Sequence, residues 1–192
     1  MATTPDDVLD FWFGRPGSAD YGTSRKIWFE KNDDFDAEIQ GRFGEAVENA
    51  LLGGFTDWET TPAECLALII LLDQFPRNLY RGTAQAFAGD ARALELANTA
   101  MDAGFDEALL PVQRIFLYLP FEHSETMADQ ARSVELLTAV SAQTGNPDWE
   151  AYAIAHRDII ARFGRFPHRN AALGRKTTPE EAEFLKQPNS GF

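Results

Sequence analysis

The 192-residue chain predicts an all-α fold: a single domain, 1–192, of about eight antiparallel helices. Three observations lead there. Helix start and stop signals recur from end to end, the connections between them are short, and no stretch carries the alternating pattern of half-buried strands. Short connections return each helix alongside its predecessor, which makes neighbouring pairs antiparallel.

The elements follow in order. Thr4-Pro5-Asp6-Asp7 offers an N-cap, a Pro at the first helical position and an acid at the third, with Gly14 as the stop. Residues 14–24 carry Gly, Pro and Ser and read as a loop. Asn32 caps a long helix whose Phe35, Ile39, Phe43, Val47 and Leu51 recur every fourth position, and Gly53-Gly54 ends it. Thr61-Pro62-Ala63-Glu64 reads as a full capping box. The helix it opens, through Phe75, is apolar nearly all round and is the expected central element.

Asp90 is the expected cap of a helix through Ala103, stopped by Gly104. Pro111 starts another, which Pro120 is expected to end. Ser124 or Thr126 caps the next, with Met127, Val134, Leu137 and Val140 on its apolar face. Asn146-Pro147-Asp148 begins a helix that runs to Phe163, before Gly164. Thr178-Pro179-Glu180-Glu181 opens a short last helix, and 187–192 reads as a loosely held tail.

Composition narrows the function classes. A chain of this length buries a sizeable core without disulfide or metal staples. Net charge is −13, which repels polyanions and excludes general nucleic-acid binding. The longest apolar run, Cys65 to Leu72, is too short to span a bilayer, and the N-terminus lacks a signal-peptide pattern. Cys65 is the single cysteine, so a reducing compartment and a cytoplasmic location are expected, with the thiol buried and inert. Against the acidic whole stands one basic island. Between Arg157 and Lys176 lie six basic residues and one acid, accompanied by His156 and His168; the rest of the chain has 11 basic and 29 acidic residues.

One phrase occurs twice. Asp73-Gln74-Phe75-Pro76-Arg77-Asn78 and Arg165-Phe166-Pro167-His168-Arg169-Asn170 each follow an apolar helical stretch and place Phe-Pro ahead of an Arg and an Asn. Pro bars helical geometry in the residue before it and removes a backbone donor, so each copy is expected to end its helix abruptly. The copies are 92 positions apart, too far for a simple helical repeat. A third polar cluster, Glu122-His123-Ser124-Glu125, follows Pro120.

Two rigid helix exits bearing the same donors suggest a composite site for a molecule with several acceptor oxygens. Arg77, Arg165 and Arg169 are the candidate clamps for carboxylate or phosphate, because a guanidinium makes paired, charge-assisted bonds. Asp73, Asn78, His156, His168 and Asn170 complete the candidate binding set. His123 is the candidate general acid or base, oriented by Glu122 or Glu125, with hydrolysis as the reaction class. No His-x-x-x-His spacing, Gly-rich phosphate loop, Gly-x-Ser-x-Gly elbow or dinucleotide fingerprint is present, so neither metal nor cofactor is expected.

With these phrases assembled, the chain resembles the bacterial family known as domain of unknown function 924. The resemblance rests on Val8-Leu9-Asp10-Phe11-Trp12-Phe13, Trp28-Phe29, Leu71 to Asn78, Tyr118 to Glu125, His156 and Gly164 to Asn170. It implies an all-helical fold similar to tetratricopeptide repeats and brings no activity with it. Two alternatives to a ligand site stand beside it. One is a scaffold that binds a peptide or protein partner on a helical face. The other is a purely structural network, with Asp73 paired to Arg165 or Arg169 and Arg77 to Glu122.

Overall fold

The computed structural model describes residues 2–188, 190 and 191, and among these every regular element is helical. Nine α-helical segments follow one another: α1 (Pro5–Phe13), α2 (Asp33–Leu51), α3 (Pro62–Ile69), α4 (Phe75–Leu79), α5 (Asp90–Asp102), α6 (Pro111–His123), α7 (Met127–Thr144), α8 (Asp148–Phe163) and α9 (Pro179–Phe184). A π-helical turn, Ile70–Gln74, joins α3 to α4 without a break, so the described residues form eight rods. The backbone divides into two compact units. The first is Met1–Arg81 with Gln85–Pro120; the second is Gly82–Ala84 with Phe121–Phe192.

Most helix starts follow the expected chemistry. Thr4 and Thr178 form reciprocated capping boxes with Asp7 and Glu181, and Asn32 and Thr126 accept bonds from Phe35 and Asp129. Two starts differ. At Thr61 the hydroxyl does accept from the Glu64 N–H, but the Glu64 carboxylate takes the Thr61 hydroxyl instead of the backbone, so the box is half made. Before α5 the cap is Gly89 and not Asp90, because the Asp90 carboxylate is claimed by Arg77.

The two internal prolines overturn the expected helix ends. Pro76 lies inside a continuous rod, and α6 runs through Pro120 to His123. An interior Pro costs about 3 kcal/mol. Burying a large apolar side chain contributes about 1.5–3 kcal/mol. Ile69, Ile70, Leu71, Leu72 and Phe75 are all fully buried around Pro76, and Phe116, Leu117 and Phe121 around Pro120, so packing wins at both. At Pro76 the wider π turn also makes room for the ring, whose N cannot bond the Leu72 carbonyl. That carbonyl instead meets Gly89 so closely that a Cβ there would stand 2.1 Å from its oxygen.

The first unit's core is aromatic. Trp12 stacks on Trp28 and Phe35 and meets Phe75 and Phe116 edge-on, at centroid distances of 5.5–5.9 Å. Phe11, Trp12, Phe13 and Trp28 are all buried in this core, while Phe29 is more than half exposed. In the second unit α7 and α8 pack as a hairpin turned by Gly145 in the left-handed region. Ile159, Ile160 and Phe166, flanked by Phe163 and Phe184, form a core beneath the second Phe-Pro phrase. The expected tail is anchored in part: Ser190 Oγ donates to the Leu185 carbonyl, while Asn189 and Phe192 lie outside the described residues.

Candidate functional site

The two copies of the phrase build the same small assembly in different surroundings. In the first unit the Asn78 amide donates to Asp36 at 2.7 Å, and Arg81 forks the same carboxylate at 3.0 and 3.1 Å. In the second unit the Asn170 amide donates to Glu181 at 3.3 Å, and Arg165 forks that carboxylate at 2.6 and 2.8 Å. Asp36 and Glu181 both sit in the first turn of a helix, where a carboxylate is favoured by the helix dipole. Each Asn-carboxylate-Arg assembly thus ties a turn to a helix start. Asn78, Asn170 and Arg165 are engaged in these ties.

Arg77 has a similar occupation. It forks Asp90 at 2.9 and 3.1 Å, lies 3.2 Å from the Asp73 carboxylate and donates to the Asp73 carbonyl. Burial works against its charge, but Asp73 and Asp90 outweigh that and hold the guanidinium more firmly protonated than usual. Asp73 is fully buried and also accepts a very short bond from Gln74.

The second unit gathers the remaining candidates. Glu125 accepts the Phe166 N–H at 2.8 Å and is forked by Arg175 at 2.7 and 3.1 Å, and Arg175 also donates to the Phe166 carbonyl. Both polar groups of the Phe166 backbone are therefore pinned. Burial pushes the Glu125 carboxyl up, yet Arg175 and the Phe166 N–H prevail and leave it below its ordinary value. The Phe166 ring then serves as a hub. The His156 ring meets it edge-on at 5.6 Å, the His168 ring lies 5.6 Å away, and the Arg169 guanidinium stacks over it at 4.6 Å. His123 is 6.3 Å from His156, ring to ring, and the Glu122 carboxylate is 3.3 Å from His156 Nδ1.

His156 is strongly perturbed by its surroundings. It is 4% exposed, and its Nδ1 lies 2.9 Å from the Tyr152 carbonyl. A carbonyl only accepts, so Nδ1 carries the proton and the lone pair is on Nε2. Burial first, then the positive charge of His123, push the imidazole down to about 3, with His168 and Arg169 acting the same way and the Tyr152 bond opposing them. His156 is neutral at physiological pH, so its 3.3 Å approach to the Glu122 carboxylate is not an ion pair. Cys65 is buried, and burial raises its thiol to about 11, which keeps it unreactive.

The candidates therefore separate by unit. Asp73, Arg77 and Asn78 belong to the first; Glu122, His123, Glu125, His156, Arg165, His168, Arg169 and Asn170 belong to the second. Within the second, the Glu122–Glu125 turn, α8 and the second phrase meet through the contacts above. Sequence reasoning missed Arg175, Asp36 and Arg81 as partners, and the pairing of Asp90 with Arg77; these pairings join residues 13 to 50 positions apart. Glu181 was visible as a capping residue, but its second duty to Arg165 and Asn170 was not. Among the described residues no three His, Cys, Asp or Glu side chains gather as a metal-binding group, and no helix is long and apolar enough to cross a membrane.

An all-helical protein with one buried and two half-buried imidazoles at a Phe-Pro turn is the class these features define. The chain belongs to the family described as bacterial protein of unknown function DUF924, whose model matches residues 8–189. It is similar to a solved structure of a protein of unknown function from Agrobacterium tumefaciens, with 40% identity and a TM-score of 0.82 over 95% of this chain and 96% of that one. No curated protein matches the chain.

Proposed function

We propose that the second unit binds a small anionic molecule, bearing carboxylate or phosphate, at the cluster of His123, His156, His168 and Arg169. One observation carries the reading: the His123 ring lies 6.3 Å from the buried His156 ring, and His156, His168 and Arg169 all pack on the Phe166 ring within 4.6–5.6 Å, so three imidazoles and a guanidinium gather at one turn. Positive groups gathered in this way favour an anion, which would join the Glu122 carboxylate beside His156 and the Glu125 carboxylate that Arg169 helps to stabilise. Arg169 would supply the fork to the ligand oxygens, and His156 a neutral ring contact. A base held near 3 abstracts protons poorly at neutral pH, so the acid-base role falls to His123, beside Glu122, with hydrolysis as the reaction class.

A structural reading is favoured for the other candidates. Arg77, Asn78, Arg165 and Asn170 each bond a carboxylate of their own unit, as does Arg175 to Glu125. These are the ion-pair ties of a folded protein and need no ligand.

Calorimetric titration with inorganic phosphate and with succinate tests the proposal and separates the two anion classes. Saturable binding that weakens at least tenfold in Arg169→Gln and in His123→Ala supports it. Absence of binding by either anion, or equal affinity in both variants, contradicts it.

A further inference from the structure

The turn that delivers Glu122 and His123 is held from behind by Gln130. Gln130, on the first turns of α7, is fully buried, and its amide nitrogen donates to two backbone carbonyls, those of Glu122 and Ser124. Those carbonyls belong to the C-terminal end of α6, where the last groups of a helix have no partner within it. One side chain thus satisfies two of them and fixes the exit of α6. The same residue presents an anomaly. Gln130 Oε1 is buried without a hydrogen-bond partner, and so is the hydroxyl of Ser133. Flipping the amide does not help, because the two carbonyls demand a donor at the present nitrogen position.

Positions three apart share one helix face, about 5–6 Å between Cβ atoms. Gln130 and Ser133 therefore share one face of α7, and both residues are fully buried. A buried acceptor left unmatched costs stability, and a single water between two such groups on one helix face can donate to both.

We propose that Gln130 and Ser133 form a buried polar node with one internal water, and that this node is the positioning device for the Glu122–Ser124 turn. The water donates to Gln130 Oε1 and to Ser133 Oγ and thereby fixes the Gln130 amide, whose nitrogen fixes the α6 carbonyls. Gln130 touches no ligand in this scheme; it acts through the backbone that carries Glu122 and His123. The positioning role in ligand binding rests on the anion-site reading above, whereas the node and its water do not.

Two measurements on the full chain without added anion test it. The first is the melting temperature of Ser133→Ala. Removal of an unsatisfied hydroxyl from a dry site would leave the temperature unchanged or raise it, whereas loss of a water-bridged node lowers it by about 3–6 °C. The second is magnetisation transfer from water to the Gln130 side-chain amide, expected in the native protein and lost in Ser133→Ala. With that loss, the His123 and His156 imidazole resonances should move, although neither residue is altered. An unchanged or raised melting temperature, no water transfer in the native protein, or unmoved imidazole resonances would each overturn the proposal. Phosphate affinity of Ser133→Ala, read separately, bears on the anion site. If native protein binds no phosphate while the node behaves as described, the anion reading falls and the node stands.

Discussion

Gly89→Ala should be among the most damaging single-methyl changes in the first unit. A Cβ at position 89 would lie 2.1 Å from the Leu72 oxygen, 2.9 Å from its carbonyl carbon and 3.0 Å from its Cα. Carbon–oxygen contacts settle at about 3.3–3.6 Å, so the two backbones must part by roughly 1 Å. Neither side yields cheaply. Leu72 is fully buried within the π turn that accommodates Pro76, and Gly89 is the cap of α5. Overpacking of a tight core costs about 1–3 kcal/mol, and a clash of backbone on backbone belongs at the upper end. Gly89 has a φ of −90°, which alanine adopts freely, so alanine recovers about 0.4–1 kcal/mol through the unfolded chain. The net loss is about 2 kcal/mol, or about 4–8 °C in melting temperature for a chain of this length. Thermal unfolding followed by far-ultraviolet circular dichroism reads it. Gly41→Ala is the control, since its Cβ meets nothing within 4 Å on the exposed face of α2 and should raise the melting temperature slightly. A Gly89→Ala variant as stable as the native protein would refute the reasoning about Leu72 and Pro76.

Other expectations follow from the ion pairs and the imidazole. Arg77→Met removes a charge partner from the fully buried Asp73 and should cost about 3–5 kcal/mol, seen as a large fall in denaturation midpoint; a near-native midpoint would contradict the structural role of Arg77. Glu181 is held down to about 2, chiefly by Arg165, so its stabilisation is complete above its ordinary 4.5 and disappears as pH falls from there towards 2. The melting-temperature gap between native protein and Glu181→Gln should therefore be wide at neutral pH and close in acid; a gap independent of pH would remove the carboxylate from the explanation. His156 behaves with a different window. Its folded value of about 3 lies below the ordinary 6.5, so the unfolded chain takes up a proton first as pH falls and native stability declines between those values. The loss reaches about 2 kcal/mol at pH 5. His156→Gln, which can still donate to the Tyr152 carbonyl, should show a shallower decline in chemical denaturation between pH 7 and 5.

Helix starts were the most legible part of the chain, because a cap is a local event. Thr4, Asn32, Thr126 and Thr178 all bond within three residues, and the sequence contains both partners side by side. Proline was misleading for the opposite reason. Its effect at positions 76 and 120 was decided by burial of neighbours against distant helices, and local grammar does not register that energy. The repeated phrase was visible as a repeat, but the carboxylates it meets were not: Asp36 and Glu181 lie 42 and 11 positions from the asparagines they bond. A guanidinium that looks free in sequence finds its carboxylate only in three dimensions, as Arg165, Arg77 and Arg175 do. His156 was legible as a buried ring on an apolar face. Its setting between His123, Phe166 and Glu122 was not, because three separate segments assemble it.

The anion-binding account is tested most directly by following the imidazole nitrogens of His123, His156 and His168 by NMR across pH, with and without inorganic phosphate. Free His156 should stay neutral with its proton on Nδ1 down to strongly acid pH, and phosphate should raise the titration midpoints of His123 and His156 together. A free His156 that titrates near 6.5, or midpoints indifferent to phosphate, would contradict it.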